Sequence, residues 1–539
     1  MNKLKQAKSK WLACLIVLLA SVSTLAVTAK ADSALPFDDI SQSYAREQIL
    51  DLYNRNGIDG TAPRTFEPDK HITRAEFITL LDRALRLQPV DSGVPAFTDV
   101  PKGTWFYGWI QAGVELGIAD GISSEHFAPN ERMTRQEAAE LLVKALKQSS
   151  AMNAGSSVST PFADSLQTAG WAVPYINQIY QMGLMEGDQQ GFRPNDSMTR
   201  QETAVVMDKL FTVPRWSDAL LASPSSRIQL GWQYNETDEQ FEQQVLSSSI
   251  NTLSPRWFFL DKNLVVQDAA DPALVTWAGQ NNKRIWAMVG NHSDMEWTHQ
   301  VLSDAALTAS VIGKLSEAAQ KYNLDGLNID FENVAPADRQ GFTSFMASLA
   351  QELHAHNKVL SVNISPDAGT DWTEAFDYAA LGQSADYVVL MAYDEHWAGD
   401  DIPGSVSSLP WVTQGIGKLL SSVPAAKVIA ALPFYTRDWT SDMLGTSSTE
   451  LTIREQHQLV SEMNAVPRWD GTTGQYMAGY ELNNVPHMIW LEDSRSLALK
   501  YRAGLSSHVA GFAYWYTGGE SADVWDSLMN TMKYDAYTF

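Results

Sequence analysis

One pattern, written three times in the first two hundred residues, constrains this chain more than any other feature. The copies open at Phe37-Asp38-Asp39, Phe97-Thr98-Asp99 and Phe162-Ala163-Asp164. Each runs into an apolar-periodic stretch that predicts a helix, over 44–56, 105–115 and 171–182. Glycines follow at Gly57 and Gly60, Gly117 and Gly121, and Gly183 and Gly187. The first of each pair suits a helix stop, because glycine tolerates the left-handed conformation there. Next come Phe66-Glu67-Pro68, Phe127-Ala128-Pro129 and Phe192-Arg193-Pro194, then a second predicted helix opening on Thr73-Arg74-Ala75-Glu76, Thr134-Arg135-Gln136-Glu137 and Thr199-Arg200-Gln201-Glu202. Self-similarity of this kind marks a repeat architecture.

Threonine with glutamate three residues on predicts a capping box, each side chain satisfying a free backbone N–H. That leaves Arg74, Arg135 and Arg200 unexplained, since a cation in the first helical turn opposes the helix dipole. Three repetitions of that penalty point to an anionic ligand, which both a guanidinium and a helix N-terminus would hold. In order and spacing the units resemble the S-layer homology repeats of bacterial surface proteins, over about 36–211. The resemblance implies an all-α three-fold bundle that binds pyruvylated secondary cell-wall polysaccharide through Arg74, Arg135 and Arg200. Tyr44 stands where the other copies have Trp105 and Trp171, which implies a weaker groove in repeat one. We place the repeats at 36–90, 96–150 and 161–211, with a linker over 212–226.

Residues 1–31 read as a secretory signal: Lys3, Lys5, Lys8 and Lys10, an apolar run from Trp11 to Val22, and a small-x-small site at Ala29-Lys30-Ala31. The single cysteine, Cys14, lies inside it, so the mature chain has no thiol chemistry or disulfides. No later stretch is apolar for the roughly 20 residues a membrane helix needs, so no membrane attachment is expected after cleavage. The signal carries five lysines and no acid, so its loss takes the formal charge from −24 to −29. Such a chain repels nucleic acid, and nucleic-acid binding is excluded on that ground.

From residue 227 to 539 short apolar runs alternate with helical patterns. Predicted strands fall at 228–232, 250–259, 284–289, 326–332, 359–364, 387–393, 428–434 and 509–515. Eight runs of this kind suit an α/β (β/α)8 barrel, with an open doubly wound sheet as the rival. No glycine-rich phosphate loop follows the first run, which counts against that rival as a nucleotide-binding fold. Within 325–332, Leu327, Ile329 and Phe331 alternate with Asn328, Asp330 and Glu332. Alternate residues of a strand share a face, so the polar set would enter the barrel and the apolar set would pack on the helices. Two neighbouring carboxylates do not both ionise easily, so one should be raised in pKa and serve as an acid. Glu332, nearest the strand's C-terminal end where barrel sites open, is the expected proton donor.

Asp325-Gly326-Leu327-Asn328-Ile329-Asp330-Phe331-Glu332 resembles the Asp-Gly-x-Asp-x-Asp-x-Glu signature of family 18 glycoside hydrolases, the chitinase family. Met391-Ala392-Tyr393-Asp394, Pro433-Phe434-Tyr435-Thr436-Arg437 and Trp515 are similar to its motifs on strands six, seven and eight. The resemblance implies substrate-assisted hydrolysis with retention. Glu332 would protonate the glycosidic oxygen, while Asp330 and Tyr393 hold the substrate's acetamide. Trp515 would floor the pocket, and Met391, Asp394, Tyr435 and Arg437 would line it, with no metal or organic cofactor. Asn328 stands where chitinases have aspartate; an amide cannot share a proton with Asp330, so Asp330 has less reason to be protonated. The asparagine, Met391 to His396, and Trp490 to Arg495 look more like the peptidoglycan-acting branch that includes spore-cortex lytic enzymes.

The resulting expectation is a cell-wall-anchored hydrolase of glycans containing N-acetylglucosamine, secreted and held non-covalently. The alternatives are a surface-displayed chitinase, an inactive sugar-binding barrel and a structural S-layer subunit. Both carboxylates being present counts against the last two. No long inserted subdomain is evident between strands seven and eight, where 436–482 looks too short, and a shallow cleft is expected.

Overall fold

A computed structural model describes residues 35–149, 159–263, 265–367, 369, 371–442 and 445–539. The predicted signal, including Cys14, lies outside the described residues. Among the described residues no helix is long and apolar enough to cross a membrane.

The first part is helical and closes on itself in a ring of three. The first helix of each repeat spans Arg46–Asn54, Tyr107–Glu115 and Val173–Gln181, and the second Arg74–Ala84, Arg135–Ala145 and Arg200–Thr212. All three capping boxes form, from Thr73 with Glu76, Thr134 with Glu137 and Thr199 with Glu202. Gly117 and Gly183 take the left-handed φ expected of helix stops, but in repeat one Asn56 does so, at φ 57°, in place of Gly57. The aspartate of each Phe-x-Asp motif accepts from the backbone of its own Phe-x-Pro turn: Asp39 from Phe66 and Glu67, Asp99 from Phe127 and Ala128, and Asp164 from Phe192 and Arg193. Those bonds hold Glu67, Ala128 and Arg193 at φ of 57–59°. At the centre, the Ile72 N–H donates to Met198, Met198 to Met133, and Met133 back to Ile72, at 2.9–3.0 Å. Each repeat therefore needs both others.

The second part is a closed barrel of eight parallel strands, β1 (Ile228–Gln233), β2 (Thr252–Asp261), β4 (Arg284–Gly290), β5 (Gly326–Asp330), β6 (Val359–Ile364), β7 (Tyr387–Met391), β8 (Val428–Pro433) and β14 (Gly511–Trp515). β1 pairs with both β2 and β14, which closes the ring and rules out the open sheet. A short β3 (Val265–Asp268) runs antiparallel on β2. Leu327, Ile329 and Phe331 join the apolar layer beneath the helices, as their alternation predicts, while Trp232, Trp286 and Met288 help fill the barrel interior.

One expectation fails here. An α+β insertion does leave the barrel between β8 and β14. It comprises β9 (Tyr435–Asp442), β10 (Gly445–Thr452), the helix Ile453–Glu462, β11 (Arg468–Asp470), β12 (Gln475–Leu482) and β13 (Val485–Leu491), in the sheet order β10-β9-β13-β12-β11. Its strands were hard to read because several are short or, like β10 with its serines and threonines, largely exposed and polar. An absent wall therefore gives no reason to expect a shallow cleft.

The segment 212–226 is more ordered than a linker would be. Pro214–Ala219 is helical, and Trp216 is buried in the core of the repeats. The last helix, Ala522–Ala536, reaches back to the bundle. Tyr534 and Tyr537 join the bundle's apolar core, the Tyr537 hydroxyl donates to the Leu85 carbonyl at 2.6 Å, and Asn530 exchanges two bonds with the Gln88 backbone. Ser494 donates to Glu115 at 2.7 Å across the same interface. Burial pushes the Glu115 carboxyl up to about 8, against the opposing bonds from Ser527 and Ser494.

Candidate active site

The C-terminal end of β5 gathers most of the polar side chains inside the barrel. Asn328 is fully buried and fully engaged. Its Oδ1 accepts from the Trp232 indole (2.9 Å) and Ser254 (3.4 Å), and its Nδ2 donates to Ser361 (3.0 Å) and Asn363 (2.8 Å). Asn363 in turn donates to Asp330 Oδ1 at 2.8 Å. Asn328 therefore acts on Asp330 through a second amide, whose orientation it fixes.

Asparagine at 328 removes one reason for Asp330 to be protonated, but burial supplies another. Burial, reinforced by the charge of Glu332, raises it to about 7, while the bond from Asn363 and the Arg256 guanidinium pull the other way. Burial dominates because a carboxylate inside a barrel loses its water, whatever its neighbour at 328. Glu332 is also raised, first by burial and further by Asp394, opposed by the bond from Ser293 and by Arg256. Both groups are thus biased towards the acid form, and they titrate as a pair.

Glu332 lies two residues beyond β5, where Asn291 grips its backbone on both sides: Nδ2 donates to its carbonyl at 2.7 Å and Oδ1 accepts from its N–H at 3.0 Å. Ser293 Oγ donates to Glu332 Oε2 at 2.9 Å. His292 and Ser293 both occupy the left-handed region, at φ 54° and 53°. For non-glycine residues that costs on the order of 1–2 kcal/mol each, and here the strained turn aims the serine at the acid. Neither Asn291 nor Ser293 was anticipated, since nothing in the sequence links them to Glu332.

Tyr393 is buried, and among the described residues its hydroxyl has no hydrogen bond; burial, with the charges of Asp330, Asp394 and Glu332, keeps it protonated. Asp394 accepts from the Tyr435 hydroxyl, and the Tyr435 ring stands edge-on to Tyr393 at 6.1 Å. Met391 packs half-buried against the barrel's inner apolar cluster. Arg437 lies on β9, donating to Ser448 (3.2 Å) and Glu450 (3.4 Å) of β10; burial raises Asp394, opposed by the Tyr435 bond and then by the Arg437 charge. Trp515 ends β14, half-buried beside Trp232 (5.9 Å) and Tyr234 (5.2 Å), a flat apolar surface of the kind on which a sugar ring stacks. In nearby loops, Glu395 caps a helix through Ser408 and Glu492 is wholly buried against Lys500. Both serve the fold. Trp397 is exposed.

Paired carboxylates biased towards the acid form, an undissociated phenol and an aromatic floor, all at the C-terminal mouth of a (β/α)8 barrel, define a glycoside hydrolase. The chain belongs to the glycosyl hydrolases family 18, whose family description matches residues 234–520, over half of its length. S-layer homology domains match residues 36–78, 96–139 and 161–204. Among curated relatives, the "Uncharacterized glycosylase YvbX" of Bacillus subtilis is 27% identical over 295 residues, covering 53% of this chain and 85% of that protein. The "Cortical fragment-lytic enzyme" of the same species is 26% identical over 246 residues, covering 44% of this chain and 57% of that enzyme's length. A chitinase structure from Chromobacterium violaceum shares the fold, with a TM-score of 0.53 and 24% identity over 57% of this chain and 99% of that one. The protein is therefore a glycosidase that carries cell-surface repeats, with a cell-wall polymer as ligand and a glycan containing N-acetylglucosamine as substrate.

Proposed function

We propose that this chain is a secreted, wall-anchored N-acetylglucosaminidase that cleaves peptidoglycan glycan with retention of configuration. The observation that carries the reading is the raised Asp330–Glu332 pair beside the free hydroxyl of Tyr393. Glu332, biased towards the acid form by burial and aimed by the bond from Ser293, delivers its proton to the glycosidic oxygen. The acetamide oxygen of the sugar then attacks C1. Asp330 takes the acetamide N–H and balances the positive charge of the oxazolinium, Tyr393 donates to the acetamide oxygen, and Trp515 supports the ring. Water opens the intermediate from the face the leaving group vacated, with Glu332 now acting as base. Asn328 is a positioning residue, acting through Asn363, and Asp394, Tyr435 and Arg437 buttress Tyr393. Similarity to a cortical fragment-lytic enzyme supports the choice of peptidoglycan.

For the anchor we propose the three grooves beside Tyr44, Trp105 and Trp171, aromatics that stand out from the bundle surface in equivalent places. Arg200 keeps an Nη1 without a hydrogen bond among the described residues, Arg135 Nη1 meets only a 4.0 Å ion pair to Glu202, and Glu137 takes that of Arg74 at 2.8 Å. A pyruvylated wall polysaccharide supplies the carboxylates these groups would meet.

Digesting purified peptidoglycan and chitin oligosaccharides in parallel, with products read by mass spectrometry, tests the enzyme reading. Fragments with reducing N-acetylglucosamine from peptidoglycan, absent with Glu332→Gln, are expected. Product from chitin alone would move the substrate to chitin, and product from neither would leave a binding barrel.

A further inference from the structure

Among the described residues of the cleft, Arg256 is a cation whose chemistry the proposed mechanism does not use. It is a lone cation in the otherwise uncharged run Thr252–Leu260 of β2, where a register irregularity between Arg256 and Phe258 turns the strand. Such bulges redirect side chains next to active sites. The guanidinium lies over three rings at the mouth of the barrel, 4.9 Å from Tyr234, 5.3 Å from Phe259 and 6.0 Å from the Trp515 floor. Its charge is felt by both Asp330 and Glu332. Yet among the described residues it makes no hydrogen bond or ion pair, and its buried Nε has no partner.

That position is unfavourable for the reaction on a neutral sugar. Positive charge builds on the substrate as the oxazolinium forms, and a nearby guanidinium opposes it. A half-buried arginine whose buried Nε has no partner also carries a desolvation cost. Both terms reverse if the substrate brings an anion. We propose that Arg256 recognises a carboxylate carried by the glycan next to the reacting sugar, so that the cleft selects an acidic amino-sugar polymer over a neutral one. The inference rests on the N-acetylglucosaminidase reading and narrows its substrate class. In wall glycan the carboxylate can be the free lactyl group of a muramic acid that has lost its stem peptide, or an acid group of a stem peptide still attached. A planar guanidinium serves either through a two-pronged contact.

The test compares wild type with Arg256→Gln and Arg256→Lys on three substrates: neutral chito-oligosaccharides, wall glycan stripped by an amidase, and wall glycan with its peptides intact. On the acidic glycan that supplies the carboxylate, Arg256→Gln should lower kcat/KM on the order of ten-fold or more, mainly through KM, and Arg256→Lys should fall between. On neutral oligosaccharides kcat/KM should rise, and the alkaline limb of its pH profile should move upward, because the cation that lowers both carboxyl pKa values is gone. Loss confined to stripped glycan assigns the lactyl group, and loss confined to intact glycan assigns the stem peptide. An equal loss on all three substrates would overturn the proposal and make Arg256 a support for Trp515 and Tyr234. If wild type turns over none of them, the N-acetylglucosaminidase reading fails first. Binding of Glu332→Gln and Glu332→Gln/Arg256→Gln to acidic and neutral oligomers, which needs no turnover, then decides. Weaker binding of acidic oligomers alone supports the role, and equal binding by the two variants overturns it.

Discussion

Arginines sit against aromatic rings in both regions, and the three repeated ones of the bundle are spent differently from Arg256 of the barrel. Arg74, Arg135 and Arg200 lie over Phe127, Phe192 and Phe66 at 4.5–4.9 Å, each ring belonging to the next repeat round the circle. In every case Nε donates to that phenylalanine's carbonyl and Nη2 to a second carbonyl, of Asp120, Glu186 or Asp59. These contacts give the repeated arginine a structural occupation that its unfavourable place in the helix did not suggest. Arg256 has the aromatic company without the carbonyls. The repeated arginines spend Nε and Nη2 on the fold and leave Nη1 of Arg135 and Arg200 without a hydrogen bond, whereas Arg256 spends none of its donors on a protein partner among the described residues.

That contrast can be broken experimentally, and the largest effect belongs to the barrel. Glu332→Gln should lower kcat on the order of 10³-fold, as loss of a general acid does, with the melting temperature nearly unchanged. Activity within ten-fold of wild type would remove Glu332 from its role.

In the bundle the expected loss is of stability. Arg200→Ala removes two hydrogen bonds and a ring contact between the last repeat and the first, leaving the buried Phe66 carbonyl unpaired, at about 3 kcal/mol. Denaturant unfolding should register it, while Arg256→Gln should leave stability within about 1 kcal/mol of wild type. Equal destabilisation by the two would erase the distinction.

A pH-dependent effect tests the seam between the two regions. Glu115 faces Ser494, Ser527, Asp493 and Asp523 there and is raised from its ordinary 4.5 to about 8. Its contribution to stability is fully present below 4.5 and is lost as pH rises towards 8, at up to about 1.4 kcal/mol per pH unit. Denaturation measured between pH 5 and 8 should show that slope, and Glu115→Gln should flatten it. An unchanged slope would place the pH dependence on Asp493 instead, which burial raises to about 6.

Much of this was legible in the sequence, for identifiable reasons. The eight barrel strands are apolar runs, and the alternation through Asn328, Asp330 and Glu332 set which face held the chemistry. The capping boxes are local and needed only four residues each. Contacts between distant segments were not legible. Ser293 reaches Glu332 from 39 positions away through a strained turn, and Arg200 meets Phe66 across 134 positions because the repeats close a ring. Arg256 did not stand out in the sequence, because only the fold shows what a lone charge in an apolar strand faces. The inserted sheet escaped because short, polar-faced strands carry little periodic signal.

The account turns on substrate-assisted catalysis by the Asp330–Glu332 pair, and the anomeric form of the first product tests it most directly. NMR of peptidoglycan digestion should show the new reducing N-acetylglucosamine appearing as the β-anomer before it mutarotates. Initial release of the α-anomer would mean direct attack by water, and would contradict the account.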